Sequence, residues 1–176
     1  MADWRDAEGR QFLTLPGYND SKLVTEYPAE IQDLQGTIRD QIDVLTGDRR
    51  RLKFVKNAAA GAALAAGDLC WYDTASHVSV DSRVASAVGD LNGIAGIAIG
   101  AISAGNYGWI LVRGQATLNL KAGVNAAEGS AIISSDTDVK VDSVAEGTAP
   151  TYKVVGFATA AASGAGGTVA TWVEIE

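Results

Sequence analysis

The chain has 176 residues and a formal net charge of −7 at pH 7, with 14 lysines and arginines against 21 aspartates and glutamates. This length suits one domain with an appendage. The acidic balance argues against a nucleic-acid-binding protein, because such proteins use cationic side chains to replace the counterions of phosphate groups. The single cysteine excludes an intrachain disulfide framework.

The sequence shows no pattern for export or membrane insertion. Residues 1–14 read MADWRDAEGRQFLT, in which acidic residues are interspersed and no apolar signal-peptide core is present. The longest apolar stretch, Ile94–Ile102, is about half the length of a membrane span and contains Gly96 and Gly100. We expect a soluble protein made in a reducing cytosol, with no membrane partner.

The composition changes near residue 56. The first 56 residues hold 19 charged side chains and 4 glycines, whereas the remaining 120 hold 16 charged side chains and 16 glycines. Two structural regimes are therefore expected. We divide the chain into an extended N-terminal arm (1–27), an amphipathic helix (28–50) and a β domain (51–176).

The arm carries six large apolar or aromatic residues without a regular period, namely Trp4, Phe12, Leu13, Leu15, Tyr18 and Tyr27. A solvated tail seldom carries so much apolar surface. We therefore interpret residues 1–27 as an extended arm that lies against a surface of its own subunit or of a neighbour. A disordered terminus is the alternative.

The segment from Pro28 to Thr46 is predicted to be an α-helix. Pro28 suits the first helical turn and Gly47 suits the position after the last one. Apolar residues recur at spacings of three and four, which would place on one stripe Ile31, Leu34, Ile38, Ile42 and Leu45. The stripe could be a short coiled-coil seam or could dock on the β domain of the same chain.

From Arg51 onward, short apolar runs alternate with Gly-rich turns, which is typical of β-strands. The predicted strands are Leu52–Asn57, Leu69–Asp73, Val78–Asp81, Ile94–Ile102, Tyr107–Arg113, Ala116–Leu120, Ala131–Ser134, Val139–Asp142, Tyr152–Ala160 and Thr168–Glu174. The expected fold class is mainly β: a small barrel or sandwich preceded by the extended arm and one α-helix.

The residues that could carry chemistry are few. His77, the single histidine, alternates with valines and is interpreted as a surface residue at a strand edge. Cys70 is interpreted as a small buried hydrophobe. The segment Asp136–Asp142 resembles a calcium loop but has Val141 at the glycine position, so a polar hairpin is preferred. We expect no enzymatic activity, no cofactor and no metal.

Four segments carry a resemblance to a known family. They are KNAAAGAALAAGDLCWYD (Lys56–Asp73), GIAGIAIGAISAGNYGWILVRGQATL (Gly93–Leu118), AGVNAAEGSAIISSDTDVKVDS (Ala122–Ser143) and YKVVGFATAAASGAGGTVATWVEI (Tyr152–Ile175). Their rhythm of glycines and apolar strands resembles the capsid decoration, or cement, proteins of tailed bacteriophages. The resemblance covers roughly residues 52–176 and leaves the first 50 residues to the interpretation above.

The resemblance implies a non-enzymatic β-barrel protein that forms trimers on the outer face of an icosahedral capsid. Its partner would be the major capsid protein, and its location the capsid surface of a virion assembled in the host cytoplasm. It would bridge capsomers and stabilise the head against the pressure of the packaged DNA.

From the residues themselves, we predict that the arm, the helix stripe and the arginine cluster after the helix form the partner interface. Its candidate residues are Trp4, Phe12, Leu13, Leu15, Tyr18, Ile31, Leu34, Ile38, Ile42, Leu45, Arg49, Arg50 and Arg51. The arginines could pair with an acidic patch of a partner, although a solvated helix end is the simpler interpretation.

A head-fibre or tail-fibre tip that binds a host glycan is the alternative function. It would need an exposed aromatic platform, for which the candidates are Trp71, Tyr72, Tyr107, Trp109 and Trp172. Because each lies in an apolar strand, core packing is the preferred interpretation of these five residues.

Overall fold

The computed structural model describes residues 4–6, 22–23, 35–43, 47–58, 62–73, 79–81, 93–135, 139–163 and 167–175. Within these ranges the regular secondary structure is entirely β, and twelve strands join into one sheet. The strands are β1 (Trp4–Asp6), β2 (Lys22–Leu23), β3 (Ile38–Asp43), β4 (Arg49–Asn57), β5 (Leu69–Tyr72), β6 (Ser79–Asp81), β7 (Ile94–Ala98), β8 (Asn106–Asn119), β9 (Ala131–Ser134), β10 (Val141–Val144), β11 (Val154–Ala158) and β12 (Thr168–Glu174). In the described part of the chain, no helix is long and apolar enough to cross a membrane.

Five strands close into a ring. Following the hydrogen bonds, β4 pairs with β6, β6 with β5, β5 with β7, β7 with β8, and β8 with β4 again. All of these pairings are antiparallel except that of β4 with β6. Closing the ring covers the backbone edges that an open sheet leaves exposed.

A second set of strands continues from the other half of β8. The order is β8, β12, β11, β9 and β10, all antiparallel. A parallel bridge between Leu120 and Val141 then joins the chain just after β8 to β10. The strand β8 is therefore shared by both halves of the fold.

The apolar core consists of two clusters of buried side chains. The larger cluster contains an aromatic group in which the Phe54 ring lies 5.7 Å from that of Tyr107 and 5.0 Å from that of Trp109, measured between centroids. Such contacts add to the stabilisation that burial of the three rings provides. Cys70 is fully buried in the smaller cluster, which confirms its interpretation as a small hydrophobe.

The predicted α-helix is wrong for the residues that the structure describes. Ile38–Asp43, inside the predicted helix, is the strand β3, and it pairs antiparallel with β4. Residues 28–34 and 44–46 lie outside the described part. The predicted fold class of mainly β with one helix is corrected accordingly: the regular secondary structure of the described residues is all β.

The physical reason for the error is that a spacing of four residues fits both structures. It equals about one helical turn and also two repeats of a strand, so Ile38 and Ile42 share a face in either case. Gly36 has a φ of 88°, which favours a turn into the strand over a continuous helix. In the strand Ile38 is 57% exposed and Gln41 is buried, so the apolar stripe does not form a buried face.

A second difference concerns β8. The sequence predicts two strands, Tyr107–Arg113 and Ala116–Leu120, whereas the structure has one strand over Asn106–Asn119. Gly114 lies where the two predicted strands were separated and has a φ of 121°. The strand continues through Gly114, and its pairing with β4 shifts register just before that residue, between Leu111 and Arg113.

Gly114 is predicted to be intolerant of any side chain. A Cβ atom there would lie 2.8 Å from the Arg49 carbonyl oxygen and 2.8 Å from the Arg50 Cβ, in addition to the strained φ. We expect Gly114→Ala to lower the free energy of unfolding by about 2–4 kcal/mol, measured by urea denaturation. The matched control is Gly123→Ala, where φ is also positive but no atom lies within 4 Å, with an expected loss of about 1–2 kcal/mol. Equal losses in the two variants would contradict the close approach of β4 to β8.

Cys70 is predicted to be unreactive in the folded protein. Burial raises the pKa of its thiol, and the nearby Asp68 carboxylate raises it further, so the reactive thiolate does not form. Labelling by a thiol reagent should therefore require unfolding and should accelerate across the urea transition. Because the folded pKa lies above the unfolded value of about 8.5, this group's contribution to stability is complete below that pH and is lost as the pH rises. Rapid labelling in buffer without urea would contradict the burial of Cys70.

Candidate partner-binding cleft

A cleft of about 490 Å³ opens where β3, β4, β8 and β12 meet. Its walls are strongly basic, because four of the eight lining residues are arginines. The lining residues are Asp40, Gln41, Ile42, Arg49, Arg50, Arg51, Arg113 and Trp172. We refer to this feature as the arginine cleft.

Strand register places these residues together although they come from distant parts of the sequence. Asp40 pairs with Arg51 across β3 and β4, Arg51 pairs with Arg113 across β4 and β8, and Arg113 pairs with Glu174 across β8 and β12. A row of four charged residues thus crosses four strands, with the two arginines in the middle. Like charges that face each other on neighbouring strands are unfavourable, so the acid at each end of the row partly offsets their repulsion.

Both ion pairs of the row are exposed to solvent. The Arg51 Nε lies 2.8 Å from the Asp40 Oδ1, and the Arg51 Nη2 donates to the Asp40 Oδ2 at 3.3 Å, so the pair is bidentate. The Arg113 Nη2 lies 3.5 Å from the Glu174 Oε1, and both of these side chains are about half exposed. Exposed pairs of this kind contribute about 0–1 kcal/mol each to stability. Their main effect is to orient the two guanidinium groups.

Arg50 is oriented by a neutral partner. Its Nε donates to the Gln41 Oε1 at 2.7 Å. Gln41 is only 2% exposed, and a buried amide that is hydrogen-bonded holds a more rigid position than a surface side chain. Gln41 therefore positions Arg50 in the lining of the cleft.

Trp172 connects the cleft to an apolar surface. It lies on β12 with Phe157 of β11 as its cross-strand partner. Phe157 is 47% exposed, and two further exposed apolar residues, Tyr152 and Val154, precede it on the same chain segment. We call Tyr152, Val154 and Phe157 the apolar strip. Exposed apolar residues grouped in this way are typical of contact surfaces.

The structure brings together four of the residues predicted for the partner interface. Ile42, Arg49, Arg50 and Arg51 all line the arginine cleft. Ile38 lies on β3 opposite Lys53, and Trp4 lies on β1 opposite Asp43. The other predicted interface residues lie outside the described part of the chain, and these are Phe12, Leu13, Leu15, Tyr18, Ile31, Leu34 and Leu45.

Sequence reasoning did not include four of the lining residues in the interface. Arg113 had a visible signal, since it is the one cation of the apolar run Tyr107–Gly114. From the sequence, Trp172 is a candidate only for the glycan-binding platform. Asp40 and Gln41 give no signal, because neither is one of the apolar residues that define the stripe of the predicted helix.

Three of the five aromatic residues proposed for a glycan platform are core residues. Trp71, Tyr107 and Trp109 are each at most 6% exposed. Tyr72 is half-buried, and its hydroxyl accepts a hydrogen bond from the Lys53 Nζ at 3.0 Å. The preferred interpretation of core packing is thus confirmed for Trp71, Tyr107 and Trp109.

The candidate metal and catalytic groups are only partly covered by the structure. Among the described residues, no three His, Cys, Asp or Glu side chains are grouped closely enough to hold a metal ion. His77 and residues 136–138 of the calcium-like segment lie outside those residues.

In comparisons with known proteins, no family model and no curated sequence matches the chain. Among solved structures, it is similar to the N base of head fiber gp8.5 of bacteriophage phi29. The two share 15% sequence identity with a TM-score of 0.46, over 71% of this chain and 94% of the other.

Proposed function

We propose that this protein is a non-enzymatic structural protein of a tailed-phage virion. In this proposal it binds the outer surface of the assembled capsid as a homotrimer, with the major capsid protein as its partner. By bridging capsomers it stabilises the head against the pressure of the packaged DNA. It assembles on the virion in the host cytoplasm and needs no cofactor, nucleic acid or membrane.

The observation that carries the proposal is the pairing of the arginine cleft with the apolar strip. Arginine and aromatic residues are enriched in protein interfaces, and here they adjoin each other through Trp172 on an otherwise acidic chain. The glycine rhythm of residues 52–176 supports the assignment to a phage capsid. The glycan-binding alternative loses support, because most of its aromatic platform is buried in the core.

Symmetry explains how modest contacts could stabilise a shell. Each subunit of an oligomer that contacts a different capsomer adds free energy against their separation, and the contacts act as linked binding events. A weak contact at each subunit is therefore sufficient for strong overall attachment.

The direct test uses capsids of the encoding phage that were assembled without this protein. Purified protein should co-sediment with these capsids and should raise the temperature at which they release DNA. Absence of binding, together with an unchanged release temperature, would contradict the proposal.

Deletion of residues 1–27 is predicted to weaken attachment and to leave the β domain folded. Only two described segments fall in this region, β1 and β2, and they contribute short pairings with β3 and β8. Circular dichroism should still show a folded β protein, with only the small loss expected from removing β1 and β2, while co-sedimentation with capsids decreases. Loss of the folded state on deletion would contradict the interpretation of this region as an arm.

The apolar strip is predicted to lie between copies of the chain in the oligomer. Replacing Phe157 with Ser removes an exposed ring without disturbing the core, so we expect a smaller assembly and a nearly unchanged melting temperature. Native mass spectrometry measures the assembly, and Ala170→Ser, at an exposed site on β12, is the control. An unchanged assembly mass for Phe157→Ser would exclude the strip from the oligomer interface.

A further inference from the structure

We infer that the arginine cleft is the docking site for an acidic peptide segment exposed on the outside of the capsid. In this complex, a carboxylate of the segment pairs with the Arg49 guanidinium, and an apolar side chain packs on Trp172. The inference rests on the proposed function and names the partner chemistry of the site.

The charge of the cleft favours an acidic occupant. Four arginines line it, and the described carboxylates paired with them are those of Asp40 and Glu174, in a chain whose net charge is −7. Arg49 forms no ion pair with any described residue. A long polyanion such as DNA would extend beyond the cleft over the acidic remainder of the surface, which repels it. A short acidic segment meets only the basic walls.

The geometry of the cleft favours carboxylates of a protein. Arg51 already holds the Asp40 carboxylate through two nitrogen–oxygen contacts, at 2.8 and 3.3 Å. Arg113 lies next to the carboxylate of Glu174. The planar fork of a guanidinium group matches a carboxylate in this bidentate manner. Arg49 has no carboxylate of the described residues beside it, so it presents the same kind of donor group to a carboxylate from a partner.

The size and lining of the cleft fit a few side chains. Its volume of about 490 Å³ lies within the range of pockets that enclose a small ligand, about 300–1,000 Å³. It is too small for a folded surface and large enough for a short peptide segment. The half-buried Trp172 supplies an apolar wall beside the charges, so a segment that combines acidic and apolar residues is complementary.

The probe is a short glutamate-rich peptide that carries one phenylalanine and a fluorescent label. Its binding to the full-length protein is measured by fluorescence polarisation. We expect Arg49→Glu to weaken binding at least tenfold. The matched control is Lys140→Glu, which makes the same charge change at a partly exposed site outside the cleft and the apolar strip and should leave the affinity within about twofold. Circular dichroism and melting temperature verify that both variants are folded.

Salt and competing ligands identify the chemistry of the site. Raising the salt from about 0.1 to 1 M shortens the screening length from about 10 to 3 Å. The affinity of the wild-type protein for the peptide should therefore fall, whereas the affinity of the Arg49→Glu variant for the same peptide should change little. Equal binding of the peptide in which glutamine replaces every glutamate would overturn the inference. The inference would also be overturned if inorganic phosphate or an oligonucleotide displaced the labelled peptide as strongly as the unlabelled peptide does. Phosphate would then indicate a general anion site, and the oligonucleotide a nucleic-acid site.

Capsid binding by the same variants separates this inference from the proposed function. If wild-type protein attaches to capsids and Arg49→Glu attaches equally well, the docking site is wrong and the proposed function stands. If the peptide binds with dependence on Arg49 but capsids are not bound, the acidic-peptide site stands and its assignment to a capsid is wrong. The inference predicts a different result from these two: Arg49→Glu loses both peptide binding and capsid attachment, whereas the control variant keeps both.

Discussion

The organisation of this protein depends on the hydrogen-bonded pairing of β8 with its neighbours. This strand of 14 residues belongs to the closed ring through β4 and β7, and to the second half of the fold through β12. Gly114 allows β8 to belong to both the closed ring and the second half of the fold, because the absence of a side chain at this residue lets β4 pass close to β8. The arginine cleft lies at this junction, so its geometry follows from the same pairing.

The cleft also contains a conflict that folding alone does not explain. Arg51 and Arg113 face each other on neighbouring strands, although cross-strand repulsion is unfavourable. The paired acids Asp40 and Glu174 reduce this repulsion, but they are exposed and contribute little stability. Local conflicts of this kind tend to occur at functional sites. An acidic partner that neutralises the arginines would turn the conflict into a source of affinity.

The sequence predicts the β-rich part well because each strand there is a local apolar run between turns. The prediction fails at β3. Ile38 and Ile42 are four residues apart, a spacing that fits a helix and a strand equally, so only the long-range pairing with β4 decides between the two structures. The cleft could be predicted only in part. Arg49–Arg51 stand out as a local cluster, whereas Arg113 and Trp172 join them through strand register, which depends on turns and bulges that a single sequence does not reveal.

The central claim is that the protein attaches to a capsid through the face that carries the arginine cleft. Electron cryomicroscopy of particles made with and without the protein tests it most directly. The account predicts added density on the outside of the shell where capsomers meet, with Arg49, Arg113 and Trp172 turned toward the capsid protein. Particles with no added density, or density in which the cleft faces the solvent, would contradict it.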